Sequence, residues 1–221
     1  MIISFGKYKG TLFKNIIKND RQYIEWLLTT DWFEKRIEHR EAFDECKKLL
    51  KIDDNSIEKT KDILVYTDGA CSFNGSVNAL CGIGVYFSKR NIKNYGNISE
   101  FLNVEKPTNN IAELVAILEA LKKIKQSYNN EKIILYTDSH YCIFILEMWY
   151  LKWIKEGTID KRQNIDIIKN LYENYYIKMN IELIHIKSHS KKKDEHSIGN
   201  SEADKLARLS IYNYRKRKEL I

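Results

Sequence analysis

The chain has little of what interrupts or staples a fold. Among its 221 residues there is one proline, Pro107, and there are nine glycines, so no Pro/Gly-rich or low-complexity linker is visible. Its four cysteines, Cys46, Cys71, Cys81 and Cys142, make no C-x-x-C pair. That excludes the spacing of a zinc knuckle or a dithiol redox motif and fits free thiols in a reducing compartment. No apolar run approaches the roughly 18 residues that a membrane span requires. The first residues, 1–7, lack a charged-then-apolar signal pattern. The expectation is therefore an intracellular, cytoplasmic protein with no membrane contact, a nuclear or viral-factory location being the alternative. Hydrophobic residues make up 43% of the chain, enough for one ordinary domain and a small one. The 37 Lys+Arg against 30 Asp+Glu leave a net charge of +7. That balance suits a polyanionic partner about as well as it suits a merely soluble basic protein.

What is present begins with a repeat. Ile63–Gly69 reads Ile-Leu-Val-Tyr-Thr-Asp-Gly, and Ile133–Ser139 reads Ile-Ile-Leu-Tyr-Thr-Asp-Ser. Both are short β-branched and aromatic runs bounded by turn-formers, hence strands. Near-continuous apolar runs suit the parallel part of an α/β sheet, buried on both faces. If the two strands lie side by side, Asp68 and Asp138 meet at one sheet edge. Carboxylates that close repel unless a cation lies between them, and an all-carboxylate set favours a hard ion such as Mg²⁺ or Mn²⁺.

Further elements follow from periodicity. Residues 1–50 read as a separate, mostly helical unit opened by the Phe5–Gly10 turn, with Tyr23, Trp26 and Trp32 as packing residues. Its Lys7, Tyr8, Lys9 and Lys14 interleave cations with an aromatic, which could serve nucleic-acid contact. Residues 51–61 are a polar linker, 62–213 the main domain and 214–221 a short basic tail. In the main domain, residues 70–76 read as a turn, 81–88 as a strand and 95–104 as a weaker strand. A helix follows with Asn110 as N-cap and Glu113 completing a capping-box spacing. Taken alone, Glu113 is more simply a capping acid. A helix over 139–155 puts Trp149 and Trp153 on one face; core packing is the plain reading, a nucleic-acid backbone the functional one. A helix over 163–177 and a strand over 181–186 come next. A polar loop over 191–200 is expected to be mobile, and the last helix to start near Ser201. Asp204 then lies in the first turn, where pairing with the helix dipole would explain it.

Together these motifs resemble a known family. Tyr-Thr-Asp-Gly, Thr-Asn-Asn-x-x-Glu-Leu, Tyr-Thr-Asp-Ser, and His-x-Lys-Ser-His followed by Gly-Asn-x-x-Ala-Asp-Lys-Leu-Ala stand in the order of type 1 ribonuclease H, from about Asp62 to Ile211. The Phe5–Gly10 stretch resembles the small module at the C-terminus of exonuclease X-like proteins. The first resemblance implies an α/β fold: a mixed five-stranded sheet, three strands antiparallel and two parallel, flanked by helices. It implies hydrolysis of the RNA strand of RNA/DNA hybrids with two Mg²⁺ ions (Mn²⁺ as substitute), giving 5′-phosphate and 3′-hydroxyl ends. The implied catalytic residues are Asp68, Glu113, Asp138, Asp204 and the loop histidine His189. Of these, Asp68 would bridge the ions, Glu113 and Asp138 would hold one, and Asp204 the other. His196 competes for the histidine role, because the stretch between His189 and Asp204 is longer than the family usually has. Implied nucleic-acid contacts are Cys71, Asn74, Asn109 and Asn110 at the 2′-hydroxyls, Thr108, Asn164 and Lys106 at a phosphate, and Trp149 and Trp153 on the DNA strand. A basic protrusion would comprise Lys152, Lys155, Lys161 and Arg162. A monomer is expected.

Two other readings compete. A 3′–5′ exonuclease of the four-acid type also uses two metals, but such enzymes open with an Asp-x-Glu pair on the first strand. A non-catalytic hybrid- or duplex-binding module is opposed by the intact acid set, since carboxylates facing phosphates hinder binding unless metal is present.

Overall fold

Apolar runs separated by amphipathic helices build one mixed sheet. In the computed structural model, described for residues 59–187 and 194–219 and for separate positions between Lys7 and Leu27, the chain divides into Met1–Glu58 and Lys59–Ile221. The second unit holds β1 (Ile63–Ser72), β2 (Leu80–Phe87), β3 (Ile98–Leu102), α1 (Asn109–Lys125) and β4 (Ile133–Thr137). After these come α2 (His140–Phe144), a π-helical turn (Ile145–Trp149), α3 (Tyr150–Lys155), α4 (Ile165–Asn174), β5 (Ile181–His185) and α5 (Glu195–Glu219).

The sheet order is β3-β2-β1-β4-β5. β1, β2 and β3 are antiparallel neighbours, while β4 and β5 run parallel to β1. This is the five-stranded architecture expected from the sequence. Alternation along the strands divides the core between the two faces. Ile63, Val65, Ile83, Val85, Ile133 and Leu135 pack with α1 and α4 in the larger cluster. Leu64, Tyr66 and Tyr136 pack with Ala203 of α5 in the smaller one. α5 can lie flat on β2 because Gly84 is there. A Cβ at that position would run into the Ala203 carbonyl oxygen and the Ala207 nitrogen.

Several local expectations are corrected. β1 does not end at Asp68. Its parallel pairing with β4 stops at Thr67 opposite Thr137, but antiparallel pairing with β2 continues to Ser72 opposite Leu80. The turn begins only at Phe73. α1 is capped by Thr108, not Asn110: the Thr108 side chain accepts from Ile111 N while its backbone is extended. Pro107 lets the helix start just after it. Glu113 therefore falls in the second turn and is not a capping-box acid.

The 139–155 helix contains the π-helical turn, a distortion that often accompanies functional sites. α5 begins six residues before the expected start. Ser197 N donates to Asp194 Oδ1 at 2.9 Å, Glu195 pairs with Arg90 at 2.9 Å, and the His196 ring stacks on Tyr136. These contacts order residues 195–200, which composition alone assigns to a mobile loop. Asp204 consequently sits well inside the helix, beyond the dipole's reach. The same helix runs on to Glu219, with Tyr214 stacked on Phe101, so most of the expected tail is helical. Thr60 bridges to Asn91, which ties the end of the expected linker to the second unit.

In the first unit, Ile16, Ile24 and Leu27 are buried. The Tyr8 hydroxyl donates to Asp20 Oδ2 at 2.7 Å, and Lys7 pairs with the same oxygen at 3.3 Å. Both side chains are thus engaged within the unit. Lys9, Lys14, Trp26, Trp32 and the linker before Lys59 lie outside the described residues.

Candidate active site

The register of β1 and β4 sets the site. Thr67 opposite Thr137 places Asp68 and Asp138 side by side, each directly after a paired strand residue, at the point where the parallel ladder ends. α1 crosses β1 at Gly69, where a Cβ would collide with the Glu113 nitrogen and the Ala112 backbone. Only glycine permits that approach, and the approach delivers Glu113. One carboxylate oxygen from each of Asp68, Glu113 and Asp138 lies within 4.8 Å of the others.

Electrostatics at this cluster are unbalanced. Asp68 and Glu113 are only 6% and 4% exposed, and Glu113 Oε2 has no hydrogen-bond partner. Burial, then the charges of Asp138 and Asp204, push the Asp68 carboxyl up to about 8. Burial, then Asp68 and Asp138, raise Glu113 well above its ordinary value. Asp138 is raised by burial and eased by a hydrogen bond from the Asn200 side chain. Like charges so close disfavour joint ionisation unless a cation neutralises them. Asp204 lines the same pocket, where its charge adds to the rise of Asp68, and its Oδ1 accepts from Arg208 Nε at 2.7 Å. The donor set is oxygen alone, which suits a hard divalent cation.

The acids open into a cavity of about 770 Å³. Of the expected nucleic-acid contacts, Cys71 and Asn109 line it. Asn74 is linked to them, since its Oδ1 accepts from Asn109 N at 3.2 Å. Lys106, Thr108, Asn110, Trp149, Trp153 and Asn164 are not among the lining residues. Trp149 and Trp153 are partly exposed, 6.0 Å apart between ring centroids, and the Arg162 guanidinium stands 4.9 Å from the Trp153 ring. Asn164 adopts a left-handed backbone (φ +61°) ahead of α4 and reaches the Tyr141 hydroxyl. Lys152 pairs with Glu156 at 3.8 Å. His189 lies outside the described residues. His196 is taken up by packing: its Nδ1 is 3.0 Å from the Tyr66 hydroxyl and its ring lies on Tyr136.

Reading the sequence missed Asn200 and Arg208 as pocket residues. Both lie one helical turn from Asp204, so the signal was the i±4 spacing. A helix starting near Ser201 carries Arg208 but leaves Asn200 outside it.

Known proteins resemble this chain. The model of the family described as RNase H matches residues 60–212, and that of the exodeoxyribonuclease X-like C-terminal family matches residues 3–29. A ribonuclease H of Orientia tsutsugamushi (strain Boryong) is 39% identical over 158 residues, which is 69% of this chain and 83% of that protein. One from Caldicellulosiruptor saccharolyticus is 34% identical, covering 70% of this chain and 99% of that protein. Ribonuclease H1 of Mus musculus is 33% identical over 67% of this chain, which spans half the length of that relative. Among solved structures, the foamy virus protease-reverse transcriptase CSH mutant superposes with a TM-score of 0.57 at 25% identity, covering 68% of this chain and 21% of that one. The RNase H domain of the same kind of virus, PFV, superposes at 0.53 with 23% identity over 71% of this chain and 98% of its own, a likeness of fold. With the family match spanning every strand of the sheet and all four acids, this chain belongs to the ribonuclease H family and is a nuclease of that class.

Proposed function

We propose that this chain hydrolyses the RNA strand of RNA/DNA hybrids by two-metal-ion catalysis, leaving 5′-phosphate and 3′-hydroxyl ends. The observation that carries the reading is the convergence of Asp68, Glu113 and Asp138 oxygens within 4.8 Å. The relatives' shared name, ribonuclease H, supports it. A foamy viral protease-reverse transcriptase that shares the fold was solved in complex with an RNA/DNA hybrid.

The residues fit divalent cations on their own terms. The donors are all carboxylate oxygens, two of the acids are buried, and Glu113 Oε2 lacks a partner. Asp68, Glu113, Asp138 and Asp204 would hold two such ions. When bound, they supply a nucleophile at neutral pH and offset charge on the phosphate and the leaving oxygen. In the reaction, a water oxygen bonds to phosphorus, the bond from phosphorus to the 3′-oxygen breaks, and that oxygen gains a proton. Asn200 orients Asp138 through its hydrogen bond, and Arg208 holds Asp204 in place. Cys71, Asn74, Asn109 and Asn110 would meet the RNA 2′-hydroxyls, the feature that separates RNA from DNA. Thr108, Asn164 and Lys106 would take a phosphate of the DNA strand, and Trp149 and Trp153 would flank that strand. His189 would handle water or product.

The test uses a labelled RNA/DNA hybrid, with and without Mg²⁺, beside single-stranded RNA, duplex RNA and duplex DNA. Internal cuts confined to the RNA strand of the hybrid, and absent without metal, are expected. Stepwise 3′ trimming of DNA would overturn the reading in favour of an exonuclease.

A further inference from the structure

Beyond the acids, the cavity continues as a trench between two elements. One wall is β1 from Asp68 to Ser72, and the other is a single stripe of α5: Asp204, Arg208, Ile211, Tyr212 and Arg215. The helical rise makes the run from Asp204 to Arg215 about 16 Å long. At about 3.4 Å of duplex axis per nucleotide, that length spans at most about five nucleotides.

The far end of the trench is unusual. Phe73, the first residue after β1, is 65% exposed and has φ +54°. A bulky residue in the left-handed region is strained, and such strain concentrates at functional positions. Asn or Gly would meet the same backbone need more easily. The Arg215 guanidinium lies 5.5 Å from the Phe73 ring centroid. One turn back, Tyr212 is 57% exposed with Lys216 over its ring. Two exposed aromatics, each carrying a cation, thus end a trench that begins at four carboxylates.

We infer that Phe73, Arg215 and Tyr212 form a second anchoring platform for the RNA strand, at most about five nucleotides from the scissile phosphate on one side of it. Arg215 takes a phosphate, and the rings lie against ribose or base edges in the shallow groove of the hybrid. RNA is the occupant because the trench is continuous with the acids that act on that strand, whereas Trp149 and Trp153 lie outside the cavity. The inference rests on the reaction proposed above.

The test measures binding and cleavage of hybrids whose RNA strand is cut back to about two nucleotides on one side of a single site, or whose DNA strand is cut back instead. On the full hybrid, Phe73→Ala and Arg215→Ala each weaken binding about tenfold, with the loss in KM and not in kcat. Phe73→Trp restores it. Cutting back the RNA on the platform side erases the difference between variant and wild type, while cutting back the DNA preserves it. Phe73→Asn relieves the backbone and raises Tm while still weakening binding, a split that a merely structural residue would not produce. Equal binding by wild type and variants on the full hybrid, or a loss that follows the DNA strand, overturns the platform. Failure of the wild type to cut any hybrid overturns the reaction instead, so the two outcomes remain distinct.

Discussion

The acid pocket and the tryptophan ridge of α2, the π-helical turn and α3 are built on opposite principles. In the pocket, three carboxylates crowd together, one oxygen has no partner, and burial favours their protonation. On the ridge most of the polar groups already have companions, Arg162 Nε being the exception. The Tyr150 hydroxyl donates to Glu173 at 2.6 Å, Arg162 covers Trp153 and donates to Thr158, and Lys152 faces Glu156. The pocket concentrates charge of one sign, whereas the ridge pairs its charges and exposes apolar surface at Met148, Leu151 and Ile154. Chemistry should therefore fail when the pocket changes, and affinity when the ridge changes.

The largest expected effect is Asp138→Asn. Removing one of the converging charges should lower cleavage on the order of 10³-fold, since metal-assisted stabilisation is worth several kcal/mol. Hybrid binding should persist or tighten as an anionic repulsion disappears. Retained cleavage, read on a gel, would break the contrast at once.

Next is the pH dependence of the metal-free protein. Asp68 titrates higher in the folded chain than its ordinary 3.8, at about 8. A carboxyl raised in this way contributes stability below its ordinary value and loses it as pH rises through the folded one. Melting temperature in EDTA should therefore fall between about pH 4 and pH 8, and Mg²⁺ should recover most of the loss at the upper end. A flat profile would show that the acids are not strained.

A pair of glycines sharpens the comparison. Gly69→Ala pushes a methyl into the backbone of α1 and should cost about 1–3 kcal/mol, with weaker Mg²⁺-dependent cleavage. Gly157→Ala, beyond the ridge, meets nothing within 4 Å but has φ +64°. It should cost about 1 kcal/mol of backbone strain and leave cleavage per folded molecule unchanged. Thermal melts with specific activity decide between them.

The smallest effect is expected on the ridge. Trp153→Ala should weaken hybrid binding by about 1–3 kcal/mol and leave kcat on saturating hybrid intact. A fall in kcat instead would mean that the ridge positions the scissile phosphate.

Much of this was legible because local chemistry and fold agree. The β-branched runs ending in Tyr-Thr-Asp do lie side by side, and the apolar stripe of Leu114, Ile117, Leu121 and Ile124 does face the core. What went unread depended on partners distant in the chain. Residues 195–200 look like loop by composition, yet Arg90 and Tyr136 draw them into α5. Glu113 looks like a capping acid until Thr108 takes the cap. Asn200 acquires meaning only once α5 is long enough to place it a turn before Asp204.

By itself, then, the sequence determined the order of the strands and main helices and which four acids could act together, though not every element boundary, because hydrophobic period and motif order are properties of the chain alone. The tertiary structure decided how those acids are held: their burial, the close approach at Gly69 and the meeting of Asp204 with Asp68 exist only when β1, α1 and α5 come together. Charge, desolvation and close approach depend on distance in space, and distance in space is what one sequence does not contain.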